Sequence, residues 1–172
     1  MAYCALIYFV CEISGNITPT LLTSKTRVSP LKVQTIPRLE LMSGKIPATL
    51  MNTVKNALEG EVRISGVCLW LDSKTALWWI ANNGEWKQFV RHRVNEILKV
   101  TKKDEWGYCP SEENPADIGS KGERASRLIE RDLWWRGPSW LSRPENEWPN
   151  SEVSETAQSN EERKLVNVTE IR

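Results

Sequence analysis

A chain of 172 residues suits one domain with a real core plus a tail, and 23 Lys and Arg against 22 Asp and Glu leave a formal charge of +1. Those totals do not mark a nucleic-acid binder, so any basic surface has to be local: residues 145–172 carry seven acids and three bases, which leaves residues 1–144 at +5. Four scattered cysteines (Cys4, Cys11, Cys68, Cys109) without a C-x-x-C pair, and a single histidine, His92, argue against a structural zinc site and for a reducing compartment.

The apolar run Ala2–Cys11 has no basic segment before it and no small-residue cleavage site after it, and it is too short to span a bilayer. It reads as a buried strand of an intracellular protein, cytoplasmic or nuclear, that is not secreted. The patterns Asn16-Ile-Thr18 and Asn167-Val-Thr169 then carry no glycan. A strand over about 2–12, a turn at Ser14-Gly15-Asn16 and a strand over about 18–28 predict a hairpin. Met1 stands directly before that strand, and the expectation is a chain truncated at its amino end.

Pro37 is placed to start a helix, with Leu39, Met42, Ile46, Leu50, Val54 and Leu58 as its apolar stripe. Gly44 and Pro47 predict a kink or break near Ile46. Val67–Leu71 is a short apolar run that delivers Asp72 to the carboxyl end of a central strand, and Ser73 caps the helix that follows. Asn82-Asn83-Gly84 stops that helix. The next helix, about 86–100, sets Trp86, Phe89, Val90, Val94, Ile97 and Leu98 on one side. Its other side is basic: Trp86–Lys103 holds six bases and one acid, and Lys87, Arg91, Arg93 and Lys99 are the candidate phosphate contacts. Asp104–Cys109 predicts the last strand. Asn114-Pro-Ala-Asp117 starts a further helix, with Asn114 as its cap.

Glu40, Asp72 and Asp117 each have an ordinary explanation, as an acid at a helix start or at a strand-to-helix junction. Together they lie at a helix start, a central-strand end and a second helix start, which a mixed sheet flanked by helices can bring to one edge. Carboxylates that converge without a Cys/His cluster suit Mg²⁺.

In order along the chain, Arg27-Val28, Pro30-Leu31-Lys32, Ile36-Pro-Arg-Leu-Glu-Leu41, Leu71-Asp72-Ser73, Asn114-Pro-Ala-Asp117, Leu133-Trp-Trp135 and Trp148-Pro149 resemble the ribonuclease H-like domain in the pol polyprotein of Bel/Pao-type LTR retrotransposons. The resemblance covers roughly residues 2–149. It implies an α/β fold, a mixed sheet with flanking helices, and Mg²⁺-dependent hydrolysis of the RNA strand of RNA/DNA hybrids. The family's catalytic set is four acids around two Mg²⁺ ions. Glu40, Asp72 and Asp117 match three of them, and the first, an Asp, would lie just before Ala2-Tyr3. The expectation is therefore impaired catalysis; Glu12, at the far end of the same strand, is too distant to substitute. Cys4 stands where the family usually has Gly.

The resemblance divides the chain into a ribonuclease H-like domain over 1–125, a Trp-rich extension toward the integrase region over 126–149, and an acidic tail over 150–172 that is expected to be disordered. Its implied partners are an RNA/DNA hybrid and the reverse transcriptase and integrase regions of the parent polyprotein, with no membrane. The alternatives are a non-catalytic nucleic-acid-binding module and a decayed polyprotein fragment.

Overall fold

The computed structural model describes residues 2–29, 34–82, 84–149 and 152–164. The sequence expectations on Met1, Pro30-Leu31-Lys32, Asn83, Asn167-Val-Thr169 and the rest of the tail lie outside the described residues. Strands β1 (Ala2–Ile13) and β2 (Asn16–Val28) form the hairpin. The two residues between them have positive φ, 52° at Ser14 and 80° at Gly15, as a turn matched to the twist of two antiparallel strands requires. The ladder shifts register between Ile7 and Tyr8. Alternation sends Tyr3 and Ala5 toward Ile46, Leu39 and Leu50 on one face. On the other face, Tyr8 donates its hydroxyl proton toward the carbonyl oxygens of Leu133 (3.1 Å) and Trp134 (2.8 Å).

Helix α1 (Ile36–Ala57) runs without the predicted break, although Gly44 and Pro47 lie inside it. Packing is the reason. A Cβ on Gly44 would come to 3.1 Å from Leu71 Cδ1 and 3.8 Å from Ile97 Cδ1, so the missing side chain is what lets α1 sit close to its neighbours. The buried line of α1 is Leu41, Gly44, Ile46, Ala48 and Met51, whereas most of the predicted stripe is only half-buried. The helix is sandwiched: Leu41, Ala48 and Met51 face the main core, and Ile46, Leu39 and Leu50 face the hairpin.

Strand β3 (Leu69–Leu71) pairs in parallel with β4 (Trp106–Tyr108). Between them run α2 (Lys74–Ala81) and α3 (Gln88–Leu98), whose Leu77, Trp79, Ile80, Val90, Val94 and Ile97 close the core over Leu69 and Leu71. The fold is α/β with small sheets and flanking helices. Among the described residues its strands form two two-stranded sheets, one antiparallel and one parallel, rather than one continuous sheet. The cause is local: Arg63–Cys68, which includes Gly66, is mostly exposed and forms no strand, so β3 is only three residues long. A cavity of about 610 Å³ separates the hairpin from β3, lined by Ile7, Phe9, Met51, Val67, Trp70 and Trp140 among others.

Beyond β4, helices α4 (Ala116–Lys121), α5 (Ala125–Leu128) and α6 (Asp132–Arg136) lead to an aromatic cluster. Ring centroids lie 4.6 Å apart for Trp70 and Trp140, and 5.9 Å for Trp140 and Trp148, so Trp140 and Trp148 pack on β3, whereas Trp134 lies near Gly119 and Trp135 is exposed. The tail's described residues, 152–164, include a short helix α7 (Ala157–Asn160) capped by Thr156. They dock through Val153, which packs against the main core, and through polar groups: Trp79 Nε1 donates to the Ser159 carbonyl (3.1 Å), and Arg38 Nε and Nη2 reach the Glu162 carboxylate at 2.7 and 3.1 Å. Composition alone describes a segment by itself and misses partners supplied from elsewhere. No helix among the described residues is long and apolar enough to cross a membrane.

Candidate functional site

The carboxyl end of β3 is where the expected acids are placed. Asp72 follows Leu71 directly, and Ser73 then caps α2, its oxygen accepting from the Ala76 N–H at 3.1 Å. The same hydroxyl donates to Glu40 Oε2 at 2.6 Å. Glu40 lies past the first turn of α1, which contains no acid, so the positive end of the helix dipole does not account for it. Burial raises the Glu40 pKa, the Ser73 hydrogen bond opposes that rise, and the charge of Asp72 adds to it.

Asn114 is the residue that sequence reasoning treated only as a cap. Its side-chain oxygen does accept from the Ala116 N–H (3.0 Å), but its amide nitrogen also donates to Asp72 Oδ2 (3.1 Å). One side chain thus ties the start of α4 to the end of β3. The signal was available in the residue type, since an amide has a donor left over once its oxygen is used.

Asp117, in the first turn of α4, accepts from Lys121 Nζ at 2.7 Å in an exposed pair one helical turn apart. The hydrogen bond and charge of Asp117 raise the Lys121 pKa, with a smaller contribution from Asp72. The thiol of Cys109, just past β4, is pushed up to about 12, first by burial and then by the charges of Glu113, Asp72 and Asp117. The structure therefore brings Glu40 and Asp72 together through Ser73, and sets Asp72 and Asp117 around one lysine and one buried thiol.

These donors are of the right kind for a hard cation, carboxylate oxygens with no sulfur or imidazole among them. Among the described residues no group of three or more His, Cys, Asp or Glu side chains is placed to hold a metal ion. Each of the three acids has one protein partner, Glu40 in Ser73, Asp72 in Asn114 and Asp117 in Lys121, and ligating carboxylates are commonly hydrogen-bonded in this way.

The basic side of α3 divides in two. Arg91 and Lys99 are exposed, with no acidic partner among the described residues. Lys87 is exposed too, but its Nζ donates to the Glu161 carbonyl at 2.6 Å. Arg93 turns away, its Nη1 on Glu96 Oε2 at 2.6 Å and its guanidinium 5.6 Å from the centre of the Phe89 ring. At about 100° per residue, Arg93 cannot share a face with Arg91 and Lys99. Lys45 and Arg93 together hold the Glu96 carboxyl down to about 2, the Lys45 hydrogen bond being the larger cause.

Glu40 gives a pH prediction with a definite sign. A carboxyl whose folded pKa is raised favours the folded state most when it is protonated, and that contribution is lost as pH rises through the folded value. Glu40→Gln is expected to raise the unfolding temperature at pH 7, with the difference from wild type closing as the pH falls toward 4. Thermal unfolding at both pH values checks this, and a variant less stable at pH 7 would refute it.

Residues 1–73 match the family model of the Pao retrotransposon-like RNaseH-like domain. The match takes in β1, β2, α1 and β3 with Glu40 and Asp72, and stops at Ser73, short of Arg91, Lys99, Asn114 and Asp117. No curated protein and no solved structure matches the chain.

Proposed function

We propose, from the match of residues 1–73 to the family model of the Pao retrotransposon-like RNaseH-like domain, that the chain is a domain of a retrotransposon pol polyprotein that engages RNA/DNA hybrids and cleaves their RNA strand only weakly. The family match, which includes Glu40 and Asp72, carries the reading. The reverse transcriptase and integrase regions of the parent polyprotein are its proposed neighbours. Hybrid engagement rests on phosphate contacts by Arg91 and Lys99, with Lys87 joining when its bond to the Glu161 carbonyl opens.

Mg²⁺ would supply the activation of water and the neutralisation of the scissile phosphate. No step is assigned through it, because Glu40, Asp72 and Asp117 are each held by a protein partner. What these partners do is clear from their chemistry. Ser73 and Asn114 fix the orientation of Glu40 and Asp72, and Lys121 neutralises Asp117. That arrangement also favours a second reading, a non-catalytic hybrid-binding module.

The test uses the full 172-residue chain with a labelled hybrid, titrated over a range of salt concentrations, and then a cleavage assay with Mg²⁺ or Mn²⁺. Sequence-indifferent binding that weakens with salt is expected. Arg91→Ala with Lys99→Ala should flatten the log–log salt slope by about 2, since each phosphate contact contributes roughly 0.9. Cleavage should be slow and should disappear in Asp72→Asn. Cleavage absent from wild type, with binding intact, selects the non-catalytic module. A salt slope unchanged in the double variant would show that α3 is only a solvated face.

A further inference from the structure

A second cavity, of about 400 Å³, lies among the hairpin, α1 and α3, away from the acids described above. It is lined by Tyr3 of β1, Lys25 and Arg27 of β2, Lys45 and Thr49 of α1, and Arg93 of α3. The hairpin register sets Tyr3 directly opposite Arg27 and Ala5 opposite Lys25, so the aromatic hydroxyl and both cations belong to one side of the sheet.

Four cations line it, and Glu96 is bonded to two of them, reaching Lys45 Nζ at 2.7 Å and Arg93 Nη1 at 2.6 Å, while Lys25 and Arg27 are exposed. Lys25 and Arg27 have no acidic partner among the described residues. Two donors are also unmet: the Tyr3 hydroxyl and the Arg93 Nε are buried without a hydrogen-bond partner among the described residues, and Tyr3 is only 8 % exposed. Buried donors without an acceptor are uncommon in folded proteins and call for a physical account. An oxyanion in the cavity is the kind of group that accepts from such donors and balances surplus positive charge through charge-assisted bonds.

We propose that this cavity is a phosphate-binding site, taking either a backbone phosphate of a nucleic acid or a free phosphate ion. The site assigns Arg93 to this pocket and not to the exposed side of α3. In its nucleic-acid form it rests on the hybrid-binding reading above; as a phosphate site it stands independently.

The experiment has two arms on the full chain. In the first, unfolding temperature is followed as inorganic phosphate is added, against chloride at matched ionic strength, for wild type, Tyr3→Phe, Lys25→Ala with Arg27→Ala, and the charge control Arg136→Ala. Phosphate should raise the wild-type and Arg136→Ala values by a few degrees and leave the other two unmoved. Unfolding without phosphate keeps the comparison to variants that fold. In the second arm, hybrid affinity is measured for the same proteins and for Arg91→Ala with Lys99→Ala. The Lys25/Arg27 variant should bind about tenfold more weakly, with the salt slope lowered by about 1. Tyr3→Phe should lose a few-fold with its slope unchanged.

Loss of the phosphate response with hybrid affinity intact supports the site and names the free ion as its source. A phosphate response identical in all four proteins, with hybrid affinity unaffected, overturns the proposal. Failure of Arg91→Ala with Lys99→Ala to alter hybrid binding counts against the hybrid-binding reading instead, and the phosphate arm still decides the site.

Discussion

Replacing Trp79 with alanine is expected to cost about 3–5 kcal/mol of folding stability, the usual range for deleting a large aromatic side chain from a core. Trp79 is 0 % exposed and sits among Leu77, Ile80, Val90 and Ile97 at the centre of the main core. It is also the link to the tail, since its ring N–H donates to the Ser159 carbonyl at 3.1 Å. Total stabilities of such domains are about 5–15 kcal/mol, so the loss would remove a large part of the whole. Urea unfolding measures it. Trp79→Phe keeps most of the ring volume while removing the hydrogen bond and a smaller part of the packing, for about 1–3 kcal/mol. Limited proteolysis should then find cleavage near Ala157–Asn160 in both variants before the core opens. An alanine variant that loses under about 1 kcal/mol would mean that this side chain does not anchor the core.

A second large effect is expected where α4 crosses β1. A Cβ on Gly119 would run into the Cys4 sulfur and lie 3.0 Å from Cys4 Cβ and 3.1 Å from the Trp134 ring. Gly119→Ala should therefore cost about 1–3 kcal/mol through overpacking. Cys4→Gly makes room on the other side, and the pair should recover much of that loss. A double-mutant cycle by chemical denaturation reads this coupling directly, and purely additive costs would show that the two residues do not compete for one space.

Features that rest on neighbours in the chain were legible in the amino-acid sequence. The hairpin follows from alternation and Ser14-Gly15, and the placement of Asp72 and the Ser73 cap from a short apolar run that ends in an acid and a hydroxyl. What was missed depends on distant partners. The buried line of α1 passes through Gly44 and Ala48, which contribute almost nothing to a hydrophobic period but are small enough for close approach. The tail is mostly polar, so most of its docking became visible only when Arg38, Thr75 and Trp79 supplied the other half of each bond. Asn114 looked like a cap because a cap needs only its oxygen, and its second bond, to Asp72, crosses 42 positions of sequence. Arg93 counted as part of a basic face until Glu96 and the hairpin cavity drew it inward.

The separation of the strands into two sheets has a kinetic consequence. The hairpin closes through a two-residue turn, and each further rung from Ile13↔Asn16 to Ala2↔Val28 adds to one already made, so little chain entropy is lost at a time. Isolated hairpins of this kind form in about 1–10 μs. The parallel pair has no such route, because Leu69↔Trp106 can meet only after α2, α3 and the connections between them have been gathered. Among the described residues no backbone ladder joins the two sheets, so early formation of the hairpin provides no template on which β3 can extend. Folding is then ordered, with a fast local element waiting on a slow crossover. Amide exchange should show the same order, with the hairpin opening as a unit separate from β3 and β4.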